Sequence, residues 1–256
     1  MTGLEMSLTK ARLPETDLAR VAPMATNDKW RALRGMRSGW SPISYRPARL
    51  HLPDALNIQR ALPMIVASPS KEALLSAVRK VSGSDDEGES NVEVVGLLYD
   101  FIRDNEIVVV EEEFAPLRLA AGYSATYWAN AVLRWGDRLL VVNTDFRRST
   151  GYSALGQRFS TSVAHERIRK LGAEYAEIEL GIVRFPAPKN RPRSIELVVP
   201  QIELISYEDL AAMTEETLSI WDQVCSEKSQ TVRDKAANDD VGPLFAKNGK
   251  GDGTNG

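Results

Sequence analysis

The sequence predicts an α/β protein: a mixed central sheet flanked by helices, preceded by an irregular N-terminal arm and followed by a disordered C-terminal tail. Three observations carry this. Apolar residues recur at helical spacing in several segments. Short β-branched runs lie between those segments. Gly136-Asp137 separates two such runs, as in a two-residue hairpin turn.

In chain order, residues 1–66 form the arm. Trp30, Trp40 and Tyr45 are interleaved with Arg31, Arg34, Arg37, Arg46 and Arg49, while Pro42, Pro47 and Pro53 block long helices. Arginine among aromatics suits phosphate contact with base stacking. It equally suits an arm laid over a core with its guanidinium heads in water. The core spans 67–225. A helix begins at Ser68-Pro69 and carries Leu74, Leu75, Val78 and Val81 on one face. Residues 82–89 lack apolar side chains and read as a loop. Ser90 opens a second helix with the stripe Val94, Leu97, Leu98, Phe101 and Ile102. Ile107 to Val110 reads as a buried strand leading into Glu111-Glu112-Glu113.

Tyr127–Trp135 and Arg138–Asn143 are the hairpin arms, and the unbroken apolar run Leu139 to Val142 calls for cover on both faces. Ser153 to Leu171 is a helix presenting Leu155, Phe159, Val163 and Ile168, with Gly172 as its stop. Tyr175–Phe185 and Ser194–Val199 are further strands, joined by a basic proline-rich loop. Ser206 begins a closing helix that runs through Trp221 to about Cys225. From 226 to 256 the apolar pattern fades, and the five glycines after residue 241 mark a disordered tail.

With 256 residues, 43% hydrophobic and 26% charged, the chain can bury one sizeable core. No apolar run approaches the ~18 residues of a membrane span. The first residues lack a basic start followed by an apolar stretch, so a cytoplasmic location without membrane contact is expected. Cys225 is the only cysteine, and His51 and His165 lie far apart, which excludes an internal disulfide and a structural zinc site. The formal net charge of -3 conceals segregation: +6 between Lys10 and Arg60, -10 between Ser84 and Glu113, and +5 between Arg134 and Lys170. Bulk charge argues against a simple polyanion binder, while two local segments permit one.

Metal-dependent nucleases gather carboxylates around Mg²⁺, which activates water beside the scissile phosphate. Here Glu93 lies on a helix, Asn130 lies in the first hairpin strand, and Asn143-Thr144-Asp145 ends the second. Gln157 follows in the next helix. In this order and spacing, from Ser90 to about Tyr207, the chain resembles the PD-(D/E)XK nuclease core. The run through Glu93, Glu113-Phe114-Ala115-Pro116 and the hairpin is also similar to the TnsA transposon endonucleases. The resemblance implies a restriction-endonuclease-like fold and an origin in a mobile element or defence system. It further implies catalytic positions at Glu93, Asn143, Asp145 and Gln157, with metal ligands at Asn130, Asp145 and Glu93.

The departures are specific. Asn130 stands where the family has Asp, and Asn143-Thr144-Asp145 where it has Glu-x-Lys. Asparagine brings a carbonyl oxygen without charge, and the lysine near the attacking water is missing. The implied centre is therefore degenerate, with Mg²⁺ as cofactor only if activity survives. Arg147 and Arg148 directly after it, with Arg34 and Arg37 in the arm, are candidate nucleic-acid contacts. Each residue has a second reading. Ser90-x-x-Glu93 fits a capping box, Asn143 and Asp145 are common turn residues, and Gln157 and the arginines suit a solvated surface.

Two functions remain. One is a DNA-binding or DNA-processing protein, with duplex DNA as partner and a nuclease-like fold whose metal site is degenerate. The other is a non-enzymatic adaptor or regulator that docks a protein partner through the acidic segment or the aromatic arm.

Overall fold

The structure, a computed structural model, describes residues 13–36, 45–58, 68–126, 131–148, 151–187 and 192–239. Seven strands are present: β1 Val108–Glu111, β2 Leu117–Ala120, β3 Tyr123–Ala125, β4 Ala131–Trp135, β5 Arg138–Asp145, β6 Glu179–Arg184 and β7 Glu196–Val198. Five of them form the central sheet in the order β1-β4-β5-β6-β7, and β2-β3 is a separate hairpin. Neighbours in the sheet are antiparallel except β5 and β6, which run parallel. Trp135 faces Arg138 across the β4-β5 ladder, leaving Gly136 and Asp137 as the turn. Gly136 has φ 60°, a left-handed conformation that glycine adopts without steric cost. The expected hairpin and mixed α/β architecture are both present.

Helices cover both faces. On one lie α5 (Lys71–Lys80) and α6 (Asp85–Asp104), whose Leu74, Val78, Val94, Leu98 and Ile102 pack with Leu140 and Val142 of β5. On the other lie α1 (Glu15–Val21), α7 (Ala154–Ala164) and α8 (Tyr207–Asp239), where Leu18, Phe159, Val163 and Trp221 pack with Val141 and Ile182. β5 is therefore central, and Leu140 to Val142 are fully buried as an apolar run requires, while Leu139, expected to be covered with them, is exposed near the turn. Each fully buried Leu or Phe contributes roughly 1.5–3 kcal/mol of transfer free energy, which makes this two-sided burial the main stabilising term. Among the described residues no helix is long and apolar enough to cross a membrane.

Several expectations are corrected. The described part of the arm is helical: α1, α2 (Thr26–Gly35), α3 (Arg46–Leu50) and α4 (Leu52–Ala55). Pro47 and Pro53 occupy the first turns of α3 and α4, where a missing N–H is no loss, so they shorten helices without preventing them. Leu18, Ala19 and Val21 belong to the main core, so residues 13–36 are part of the folded body. α5 is capped by Ser70, whose hydroxyl accepts from the Ala73 amide.

α6 starts well before Ser90. Ser84 accepts from the Glu87 amide at 3.3 Å, and the Glu87 carboxylate accepts from the Gly83 amide at 2.6 Å. The cap is thus Ser84, with Glu87 holding the preceding amide and Asp85 and Asp86 complementing the helix dipole, and the acidic stretch expected as a loop is a first turn. β1 is an edge strand, so Val110 is exposed while Val109 is buried. Leu155 is exposed too. α7 passes into a π-helical turn, His165–Arg169, whose wider repeat brings Ile168 to the buried face five residues after Val163. α8 continues to Asp239, past the boundary expected at Cys225.

Candidate functional site

The polar centre lies where β5 ends. Strand alternation sends Leu140 and Val142 toward α6, and Val141, Asn143 and Asp145 toward α1 and α7. Asn143 and Asp145 are buried, at 2% and 1% exposure. The Asp145 carboxylate accepts from the Tyr152 amide at 3.0 Å, from the Arg147 amide at 3.4 Å, and from the Arg20 guanidinium at 3.4 Å to each oxygen. Burial pushes its pKa up to about 6, opposed by those backbone amides and by the charges of Arg184 and Arg49.

Asn143 donates its amide to the Tyr152 phenol at 3.3 Å, and Gln157 donates to the Tyr152 carbonyl at 3.1 Å. Burial and the neighbouring Asp145 charge hold that phenol far above its ordinary pKa. Asn143, Asp145 and Gln157 therefore converge on Tyr152, which sequence reasoning passed over; its only local signal is a place just before the Ser153 cap of α7. α1 closes over this centre. A Cβ on Gly156 would stand 3.1 Å from the Ala19 carbonyl, so any other residue would push α1 away from α7 by a few tenths of an ångström. Asp17 of α1 pairs with Arg147, and Glu15 accepts from Thr126. The result is a closed network tying α1, β5 and α7 together.

Glu93 is elsewhere. It projects from the middle of α6, on the other side of the sheet, and pairs with Arg148 at 3.5 Å and Arg193 at 3.7 Å. The fully buried Arg193 guanidinium lies against the rings of Tyr45 and Phe185 and donates to the carbonyls of Phe185 and Phe146. It clamps α3 onto the sheet end. Glu93 is thus not a cap, and its partners Arg148 and Arg193 are not those of Asn143 and Asp145. Of the residues implied as metal ligands, Asn130 lies outside the described residues, and Glu93 and Asp145 share no hydrogen-bond or ion-pair partner among the described residues. Among the described residues no group of three or more His, Cys, Asp or Glu is arranged to hold a metal.

Arg37 also lies outside the described residues. Arg34 projects from α2, stacks over Trp30 at 4.8 Å and pairs with Glu227 of α8 at 3.0 Å. Asn27, Trp30, Arg31 and Arg34 form one stripe of α2 beside an open depression of about 580 Å³. The opposite stripe carries the buried Lys29, whose ammonium pairs with Glu216 of α8.

Fold and site together define a mixed α/β protein whose buried carboxylate Asp145 is enclosed by Arg20, Arg147 and Tyr152. Comparison with known proteins is more specific. The family model described as sliding clamp-binding bacterial toxin SocB matches residues 16–231, from α1 into α8. The DNA replication inhibitor toxin SocB of Caulobacter vibrioides (strain NA1000 / CB15N) is 36% identical over 227 residues, covering 88% of this chain and 95% of that protein. The chain belongs to the SocB family.

Proposed function

We propose that this chain is a toxin that docks on the bacterial sliding clamp and inhibits DNA replication by occupying it. The observation that carries this is the family match, which takes in nearly the whole described fold. The geometry supports it. An inhibitor that works by occupancy needs a binding surface and no reaction, and the polar centre at Asp145 is closed by Arg20, Arg147 and Tyr152. The site of action would be the bacterial cytoplasm, where replication takes place.

We assign the clamp contact to the outward stripe of α2. Trp and Arg are the residue types that dominate protein-interface energetics, and here the Trp30 ring carries Arg34 at the border of an open depression. Inducible expression in the host, with replication followed by nucleotide incorporation, tests the whole reading. Incorporation should stop with the native chain and recover when the clamp is overproduced. Arg31→Glu/Arg34→Glu should be less toxic at equal protein level. Arrest that clamp overproduction leaves unchanged would refute it.

A second reading concerns ancestry. α6, β1, the β4-β5 hairpin, α7 and β6 follow one another in the order on which the PD-(D/E)XK resemblance rests. We infer descent from such a core with a degenerate centre, in keeping with a toxin from a mobile element or defence system. Duplex DNA should stay intact with this protein and Mg²⁺. EDTA-sensitive cleavage that Asp145→Ala abolishes would restore an enzymatic function.

A further inference from the structure

We propose that the arginines at the carboxyl ends of β5 and β6 bind the phosphodiester backbone of duplex DNA. Four guanidinium groups ring this end: Arg49 of α3, Arg147 and Arg148 just after β5, and Arg184, the last residue of β6. They come from separate elements yet share one neighbourhood. The charges of Arg49 and Arg184 both act on Asp145, those of Arg49 and Arg147 both act on Tyr152, and Arg49 lies 5.9 Å from the centre of the Phe146 ring. With the inner Arg20 and Arg193, six guanidinium groups face the carboxylates of Asp17, Glu93, Asp145 and Glu196. The end therefore carries a cationic excess in a chain that is acidic as a whole.

The outer groups are available. Arg49 is exposed and has no carboxylate partner among the described residues. Arg148 and Arg184 are held by long contacts of 3.5 and 4.0 Å to the partly exposed Glu93 and Glu196. Such solvated pairs contribute little, so a phosphate can take the place of the carboxylate at small cost. Guanidinium forks match phosphate oxygens in bidentate geometry. Spread along a rim instead of enclosing a cavity, Arg49, Arg148 and Arg184 suit successive phosphates of a strand better than one small anion, while Arg147 stays paired with Asp17. The proposal adds a second ligand to the clamp reading and does not depend on it. A clamp slides on DNA, so a protein docked there would meet the duplex at high effective concentration.

Fluorescence anisotropy with a short labelled duplex and the full chain, without clamp, tests this. Three phosphate contacts give a log–log salt slope of about -2.7, so a fourfold rise in salt should weaken binding roughly fortyfold. Arg49→Gln/Arg148→Gln should reduce that slope by about two and weaken binding at low salt about tenfold or more. Glu93 keeps Arg193 in this variant, so the fold persists, and circular dichroism checks it. Arg118→Gln/Lys170→Gln removes the same charge from β2 and from the far end of α7, and should leave affinity within about twofold, since no phosphate contact is lost. Equal losses from both variants, no binding at low salt, or displacement of the duplex by inorganic phosphate at matched ionic strength would each overturn the proposal. Clamp binding measured in parallel keeps the two readings separate: intact clamp affinity with no DNA affinity rejects this inference alone.

Discussion

Replacing Arg20 by methionine probes the closed centre, and the structure sets its magnitude. Asp145 is 1% exposed and Arg20 is its only side-chain partner within ion-pair distance among the described residues, so the substitution leaves a buried carboxylate held by the amides of Tyr152 and Arg147. Breaking a buried pair from one side costs about 3–5 kcal/mol when the remaining charge has no escape. Asp145 has one, because burial already holds its pKa at about 6. At pH 7.5 protonation costs about 1.5 units, or about 2 kcal/mol, which caps the electrostatic loss. Loss of Arg20 packing over the Tyr152 ring, at 5.6 Å, adds less than about 1 kcal/mol. Urea unfolding should show Arg20→Met destabilised by about 2–3 kcal/mol at pH 7.5 and by no more than about 1 kcal/mol at pH 5, where the carboxyl is already largely protonated. Equal losses at the two pH values, or less than about 0.5 kcal/mol at pH 7.5, would refute the reasoning.

Three further outcomes are expected. A carboxyl whose folded pKa lies above its unfolded value binds its proton more tightly in the native state. The Asp145 contribution is therefore fully present below about pH 4 and is lost as pH rises through about 6. Melting curves should show Asp145→Asn gaining on the native chain by up to about 3 kcal/mol across that window, and parallel profiles would contradict it. Lys29 is buried while Glu216 is 41% exposed, so removing the acid strands a buried ammonium and removing the base frees a carboxylate into water. Glu216→Gln should cost about 2 kcal/mol and Lys29→Met less than about 1 kcal/mol in the same unfolding assay, an order that a surface pair would not show. Ser84→Ala should cost about 1 kcal/mol through the lost cap while Ser90→Ala, within the helix, should not lose a cap; hydrogen exchange at the α6 N-terminus reports the difference.

The central fold was legible because local chemistry and burial agree there. Gly136-Asp137 demands a tight turn, and Leu139 to Val142 is apolar without alternation, so a hairpin feeding a doubly covered strand is the simplest solution. The start of α6 was hidden because its first turn is built from capping and dipole interactions of Asp85, Asp86 and Glu87, which carry no apolar period. β2 and β3 were missed because they are only four and three residues long, too short for a strand period to stand out. At the site, Asn143, Asp145 and Gln157 were found as polar residues near strand and helix ends. Their shared partner Tyr152 lies within nine residues of each but has no sequence pattern to mark it, and the closure by Arg20 from α1 depends on a contact 125 residues apart along the chain. Glu93 was placed with them by sequence order, but it pairs instead with Arg148 and Arg193. No composition or spacing pointed to the sliding clamp, because a docking surface needs only a few exposed side chains, and these have no period.

The most direct measurement is binary binding between the purified chain and the purified sliding clamp of its host, by interferometry or sedimentation. The account predicts a saturable complex that forms without DNA, nucleotide or divalent metal, and that Arg31→Glu/Arg34→Glu weakens without unfolding the chain. Failure of the two purified proteins to associate at micromolar concentrations, with the chain shown to be folded, would contradict it.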